Sequence, residues 1–376
     1  MSDQITMPLL PAGPAPGDPL PRLVGRVSSQ PRFVIDTAAG RTVILACYGS
    51  TRDALGQAVL TLLALWRDRF SDRELPCFGI SIDPADEAAG LEDQLPGLRH
   101  VHDHDGEISR ACRVWRGRGS QPTLDGYQRV WLVIGPDWRI RAVVPMTLPD
   151  AGAAALEQAV THARARDDHW LQPPVMVIPD VLEPEACAAL MAHYIEQGGE
   201  VTGYMRDING TTVSVKDDRH KRRSDCHVSD EALRKALQAR ILRRVVPALR
   251  QATSFEATRM ERYLIGCYDS ADGGHFRPHR DNTTAGTAHR RFAVSVNLNE
   301  DFAGGELYFP EFGSQRYKLP PGWAVVFSCS LLHAVTPVTA GRRYAFLPFL
   351  YDEAAAELRA ASNAQLGEGL RPYRAD

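Results

Sequence analysis

Late in the chain an imidazole and a carboxylate stand two residues apart, His279 and Asp281, in the stretch Gly274-His275-Phe276-Arg277-Pro278-His279-Arg280-Asp281-Asn282. On an extended strand residues i and i+2 point to the same side, so both side chains can reach one ion. A second histidine, His333, follows the apolar stretch "GWAVVFS", and Arg343 stands at the start of the next apolar run. Two histidines and a carboxylate on one face of an octahedron leave three positions open, the arrangement that non-haem Fe(II) uses to activate O₂. With 12 histidines in 376 residues, one His-x-Asp pair is about what chance supplies. A polar turn is therefore the competing reading, and the surrounding text has to decide between them.

Such ligands need rigid strands to hold them. From about Phe255 the sequence breaks into short β segments separated by Gly, Asn and Pro: "RYLIGCYD", "RRFAVSVNLN", "GGELYFP", "QRYKLP", "GWAVVFS" and "YAFLPFLYD". Many short strands with turn signals read as a β-barrel or jelly roll, packed against the helices that precede it. Those helices are expected over "EPEACAALMAHYIEQ" (183–197) and then after Ser229, a candidate N-cap. Leu233, Leu237, Ile241, Val245 and Leu249 make one apolar helix face there, with Pro247 expected to kink or shorten it.

On these residues the region 174–352 resembles the Fe(II)- and 2-oxoglutarate-dependent dioxygenases, in the prolyl-4-hydroxylase-like branch that includes the PKHD-type hydroxylases. The pieces that carry the resemblance, in order, are "RYLIGCYDSADGGHFRPHRD", "RRFAVSVNLNEDFAGGELYFPEF" and "GWAVVFSCSLLHAVTPVTAGRRY". The resemblance implies a double-stranded β-helix, or jelly roll, with supporting helices, and His279, Asp281 and His333 as the iron ligands. It implies Arg343 as the cation that pairs with the distal carboxylate of 2-oxoglutarate and Tyr263 as a hydrogen-bond donor to the same carboxylate. Gly304-Gly305-Glu306-Leu307 matches the turn into a strand that lines the pocket. Arginine suits the Arg343 role because its planar fork of donors stays charged at any working pH. Fe(II), 2-oxoglutarate and O₂ are the implied cofactor and cosubstrates, with ascorbate a candidate auxiliary reductant. The implied reaction hydroxylates an aliphatic C–H of an amino acid, peptide or protein side chain and releases succinate and CO₂. The presence of Asp281 favours hydroxylation over halogenation, since halogenating relatives lack that carboxylate.

Ahead of this region, residues 1–21 are Pro-rich and read as a flexible tail. Residues 22–168 alternate: "TVILACY" (42–48) as a buried strand, "DALGQAVLTLLALWRDRF" (53–70) as a helix, "CFGISI" (77–82) as a strand, and "RVWLVIGPDWRIRAVV" (129–144) as a hairpin. The polar, proline-punctuated "HARARDDHWLQPP" marks a boundary, which places the second domain at 172–376. The first domain resembles, more loosely, the α/β thioredoxin-like fold of the peroxiredoxin (AhpC/TSA) class. That class needs a thiolate at the N-terminus of the first long helix, and the window from Gly49 to Leu60 holds no cysteine. Arg129 stands where the activating arginine would be, with nothing evident to activate. The domain is read as non-catalytic, serving substrate or partner recognition or a homodimer.

Three polar features remain. The basic run "DDRHKRRSDC" (217–226) reads as a solvated face, with a substrate lid as the alternative; Arg290 is a weaker candidate for pointing at substrate; and "HVHDHD" (100–105) reads as a strand running into a loop rather than a metal site. The seven cysteines are scattered with no Cys-x-x-Cys, against both a disulfide framework and a zinc knuckle. A net charge of −3, no membrane-length apolar run and no secretory signal point to a cytoplasmic protein without nucleic-acid or membrane partners. Two rival readings stay open: a thiol peroxidase with an appended barrel, and a metal- or 2-oxoglutarate-binding sensor or thioredoxin-like partner-binding protein without turnover.

Overall fold

In the structure, a computed structural model, residues 12–117, 121–165, 171–367, 370 and 372 are described. They fall into two compact units: one of residues up to 171 together with 310–313, the other of residues 172–309 and 314–376.

The first unit is built on a seven-stranded sheet. Its strands are β1 (Val24–Val27), β2 (Gln30–Val34), β3 (Val43–Gly49), β4 (Cys77–Ser81), β5 (Leu98–His102), β6 (Val130–Ile134) and β7 (Ile140–Pro145), in the order β2-β1-β5-β4-β3-β6-β7. The central β3, β4 and β5 run parallel and the flanking pairs antiparallel. All seven residues of β3 are buried, which is why its sequence is apolar without alternation. Crossovers are supplied by α1 (Ala54–Leu65) and α2 (Pro84–Ala88), followed by α3 (Glu107–Ala111) and α4 (Ala153–Ala165). Val59, Leu62 and Leu63 of α1 join Ile44, Ala46 and Tyr48 of β3 in one core. Of the expected flexible tail, residues 1–11 lie outside the described residues. The rest is held in place: Gly17 N–H donates to Ile140 O and Leu20 N–H to Trp138 O, with Ala15 and Leu20 buried.

The second unit opens with β8 (Val175–Ile178) and α5 (Pro184–Gln197), then five short strands, β9 (Glu200–Val201), β10 (Tyr204–Ile208), β11 (Thr211–Val215), β12 (Lys221–Arg222) and β13 (Ser224–His227). Two helices follow, α6 (Glu231–Arg244) and α7 (Val246–Thr253). The helix expected from Leu233 to Leu249 is broken at Val245, in keeping with the kink or shortening expected of Pro247, which has no N–H to give an interior turn and sits in the first turn of α7. The cap is Asp230, whose carboxylate accepts from Leu233 N–H, not Ser229.

The remaining strands are β14 (Arg259–Glu261), β15 (Leu264–Asp269), β16 (His275–His279), β17 (Phe292–Asn297), β18 (Phe302–Gly304), β19 (Leu307–Tyr308), β20 (Arg316–Tyr317), β21 (Ala324–Ser328), β22 (His333–Val335), β23 (Val338–Phe346) and β24 (Phe349–Tyr351), before α8 (Glu353–Ala361). They form a large sheet, β14-β24-β17-β23-β15-β13-β9 with β21 beside β17, and a small one, β12-β16-β22-β19-β20. Alternation divides the large sheet. Ile265, Cys267, Tyr344 and Phe346 turn toward Leu190, Leu237, Ile241 and Leu249 of the helices, which leaves Gly266, Tyr268, Arg343 and Ala345 on the opposite face. That face meets the small sheet, where Phe327 of β21 lies edge-on to His333 with ring centroids 4.7 Å apart.

The run 217–226 is split: Asp218 and Arg219 are exposed, with the Arg219 side chain at 89%, while Lys221, Arg223 and Asp225 are buried. The chain leaves the small sheet after Arg222 and enters the large one at Ser224, so the run is a corner between sheets. Lys221 and Arg223 are buried there against Asp225, with side chains only 3% and 6% exposed.

Candidate metal centre

His279 ends β16 and His333 begins β22, and the two are direct antiparallel partners with ring centroids 4.2 Å apart. Asp281, two residues beyond the strand, is fixed by its own N–H donating to Cys329 O. Its carboxylate lies between the rings: His279 Nε2 is 3.6 Å from Oδ1 and His333 Nε2 3.3 Å from Oδ2. One donor atom from each of the three residues lies within 4.8 Å of the others.

The other ring nitrogens determine what these three can do. His279 Nδ1 is 2.8 Å from Arg277 O and His333 Nδ1 is 3.0 Å from Leu331 O. A carbonyl only accepts, so each Nδ1 carries a hydrogen and each ring turns Nε2, the atom left to ligate a metal, toward the carboxylate. Burial pushes His279 well below the ordinary imidazole range, and the neighbouring His333 adds to this. Burial alone would raise Asp281; the charges of His333 and His279 more than offset it and hold the carboxylate well below its usual range. Two imidazole lone pairs and a carboxylate facing one point fit a divalent transition metal. Phe276 stacks on His279 with centroids 3.4 Å apart, so both rings are locked in orientation.

Arg343 projects from the pocket face of β23 and is 5% exposed. Its contacts are with neutral groups, Ser295 Oγ at 3.3 Å and Asn297 Oδ1 at 3.4 Å, and among the described residues it has no carboxylate partner. Burial pulls it below the usual guanidinium range. Glu306 acts on it through space without forming an ion pair; a buried guanidinium so weakly compensated is costly, and an anionic ligand lowers that cost. Gly305 lies against it, since a Cβ there would come within 3.3 Å of Arg343 Cδ.

Tyr263 is not brought to this site. It precedes β15 on the helix-facing side, packs against the helical core and lies beneath Arg234, whose guanidinium is 4.7 Å from the ring centroid. The tyrosine beside Arg343 is Tyr268, its direct cross-strand partner, with Arg343 Cζ 5.6 Å from the ring centroid. Tyr268 Oη accepts from Arg223 Nη1, and Arg223 in turn donates to Asp225 at 2.5 and 2.9 Å. Arg290 is engaged within the fold. Its Nε donates to Glu261 and its Nη1 lies 3.5 Å from Asp281 O, which ties the Asp281 loop to β14.

Residues 263–351 match the 2OG-Fe(II) oxygenase superfamily, and this segment holds His279, Asp281, His333, Tyr268 and Arg343. A PKHD-type hydroxylase of Thioalkalivibrio sulfidiphilus is 33% identical over 134 residues, which cover 33% of this chain and 58% of that one. A PKHD-type hydroxylase of Pseudomonas fluorescens is 41% identical over 91 residues, 22% of this chain and 39% of that one. The chain thus spans less than two thirds of the length of these relatives. A solved prolyl hydroxylase of Trichoplax adhaerens, in complex with a hypoxia inducible factor peptide, is 19% identical with a TM-score of 0.37, covering 51% of this chain and 88% of that one. The match of this segment to that superfamily supports Fe(II), 2-oxoglutarate and O₂ as cofactor and cosubstrates.

Proposed function

We propose that the whole chain acts as an Fe(II)- and 2-oxoglutarate-dependent dioxygenase that hydroxylates an aliphatic C–H of an amino acid, peptide or protein side chain. The observation that carries this reading is the convergence of His279 Nε2, His333 Nε2 and an Asp281 oxygen, with both Nδ1 atoms committed to backbone carbonyls. These three residues hold the iron. Arg343 holds the distal carboxylate of 2-oxoglutarate, supported by Ser295, Asn297 and the ring of Tyr268. Bound there, Fe(II) supplies the redox chemistry by which 2-oxoglutarate, O₂ and R–H become succinate, CO₂ and R–OH. The protein's part is to fix the ligand set, seat the cosubstrate and exclude water with Phe276, Phe309 and Phe327.

The first unit's three central parallel strands, flanked by an antiparallel pair at each edge, are compatible with the thioredoxin-like resemblance of its sequence, and we assign it a binding role, to substrate, a partner protein or a second copy. Cys47, Cys77 and Cys112 are all buried, and burial raises each thiol above its ordinary range. At the start of α1, Arg129 is not idle: its Nη1 is 2.8 Å from both oxygens of Asp53, the cap of that helix. The anion position at this helix terminus is filled by the chain itself.

The test is anaerobic titration with Fe(II) and 2-oxoglutarate, followed by a succinate assay over a panel of amino acids and peptides. One iron and one 2-oxoglutarate per chain, both lost in His279→Ala and His333→Ala, is the expected result. Succinate formation at the unmutated rate in either variant would exclude the assignment.

A further inference from the structure

The motif His100-Val101-His102-Asp103-His104-Asp105 lacks the His-x-Asp spacing, and the fold supplies from elsewhere the carboxylate it is missing. His102 ends β5, His104 lies two residues beyond, and Glu87 of α2 reaches them. One donor atom of each lies within 4.8 Å of the others. We propose that Glu87, His102 and His104 form a second metal site, for a borderline divalent ion such as Zn²⁺, Co²⁺ or Ni²⁺, independent of the oxygenase centre.

Two observations point to a metal ligand set. His102 is 6% exposed, yet its Nδ1 is buried with no hydrogen-bond partner, and so is Nε2 of His104. Buried ring nitrogens ordinarily find partners, and two unpartnered ones on neighbouring rings beside one carboxylate offer a cation three donor groups. The donor set of two imidazoles and one carboxylate suits borderline ions rather than Ca²⁺ or Mg²⁺, which take oxygen ligands.

The competing reading is an ion pair. Arg26, the cross-strand partner of His102, places Nη1 and Nη2 at 2.5 and 2.6 Å from the two oxygens of Glu87, and its Nη2 is 3.3 Å from His104 Nδ1. This pair is only half buried, its side chains 44% and 38% exposed, and such pairs contribute little. The guanidinium therefore marks a place that already accepts a cation and competes weakly for it. It borders an open cavity of about 660 Å³ that is also lined by His102, His104 and Gln121, so the arginine has room to swing aside. Three protein donors leave at least one coordination position facing that cavity, for water or for an anionic or nitrogenous ligand.

The experiment uses the full chain, stripped by chelation and dialysed against Zn²⁺, with bound metal counted by elemental analysis. The unmutated chain should hold two equivalents, His279→Ala one, and His279→Ala combined with His104→Ala none. Arg26→Ala, which removes the competitor and no ligand, should tighten Zn²⁺ binding to the His279→Ala chain by at least about tenfold. A His279→Ala chain that holds no Zn²⁺ would overturn the proposal, as would one equivalent that survives both His104→Ala and Glu87→Gln, or an Arg26→Ala variant that binds no more tightly. Failure of the oxygenase reading looks different: the unmutated chain would hold one equivalent, insensitive to His279→Ala and lost with His104→Ala.

Discussion

Arg343 and its neighbours carry the most discriminating predictions at the scale of single residues. Arg343→Ala removes a charge-assisted pair worth roughly 1.5–3 kcal/mol, so the 2-oxoglutarate concentration for half-maximal succinate formation should rise about ten- to a hundredfold while the iron requirement changes little. Lysine at 343 should rescue partially, because it restores charge without the fork. Tyr268→Phe should raise the same requirement about fivefold, by roughly 1 kcal/mol, since it strips an acceptor from Arg223 beside the cosubstrate pocket. Tyr263→Phe should leave it unchanged, and the reverse ranking would return the role to Tyr263. The convergence of His279, Asp281 and His333 was legible because His-x-Asp and a distant strand-start histidine are positions along the chain. The tyrosine was not, because "RYLIGCYD" is apolar on both faces and nothing in it says which residues turn toward the helices; only the pairing of Tyr268 with Arg343 does. Nor did the sequence reveal that Arg223 is buried, since Asp225 and the room left by Gly266, where a Cβ would lie 3.0 Å from Arg223 Cδ, become neighbours only in the folded sheet.

Elements that stand on strong local patterns came through, and those set by tertiary context did not. The strands at 43–49, 77–81 and 324–328 were visible as buried apolar runs, whereas β12 and β13 read as a charge cluster because their polar side chains are paired inside the unit. The helix cap moved by one residue, a shift that propensity cannot resolve because Ser and Asp cap about equally well. Asp230→Ala should therefore cost about 1 kcal/mol in denaturant unfolding and Ser229→Ala close to nothing, a difference read directly from the two midpoints. At the start of β12, His220 lies between the rings of Tyr204 and Phe276, and burial lowers its imidazole to about 4. Unfolded, it titrates near 6.5, so the unfolded chain binds more protons between these values and stability falls as pH drops through that window. The loss should approach roughly 2–3 kcal/mol at the bottom of the window, less any solvent screening. His220→Phe should flatten unfolding free energies measured between pH 7 and pH 4.5 by that amount; an unchanged slope would place the titrating group elsewhere.

Across the whole molecule, every residue assigned to iron or 2-oxoglutarate belongs to the second unit, whose helices and large sheet close a core of their own. The chain from residue 172 onward, produced alone, should therefore fold, bind one Fe(II) and one 2-oxoglutarate with affinities within about threefold of the full chain, and retain slow uncoupled succinate formation. Turnover of the true substrate should fall if the first unit recruits it, which separates a recruiting role from a purely stabilising one. Residues 22–168 alone should consume no peroxide with a thiol reductant. The physical reason lies in α1: its N-terminus, the place where a dipole and an arginine would depress a thiol, is occupied by the Asp53–Arg129 pair, and Cys47 lies within buried β3 with its thiol driven up rather than down. Asp53→Cys restores a sulfur at that helix terminus beside Arg129. If the site is otherwise intact, this variant should show a thiol whose reaction with iodoacetamide persists at pH 6, several-fold faster than any native cysteine. Rapid alkylation of Cys47 in the unmutated chain, or peroxide consumption by the isolated first unit, would return the peroxidase reading to contention.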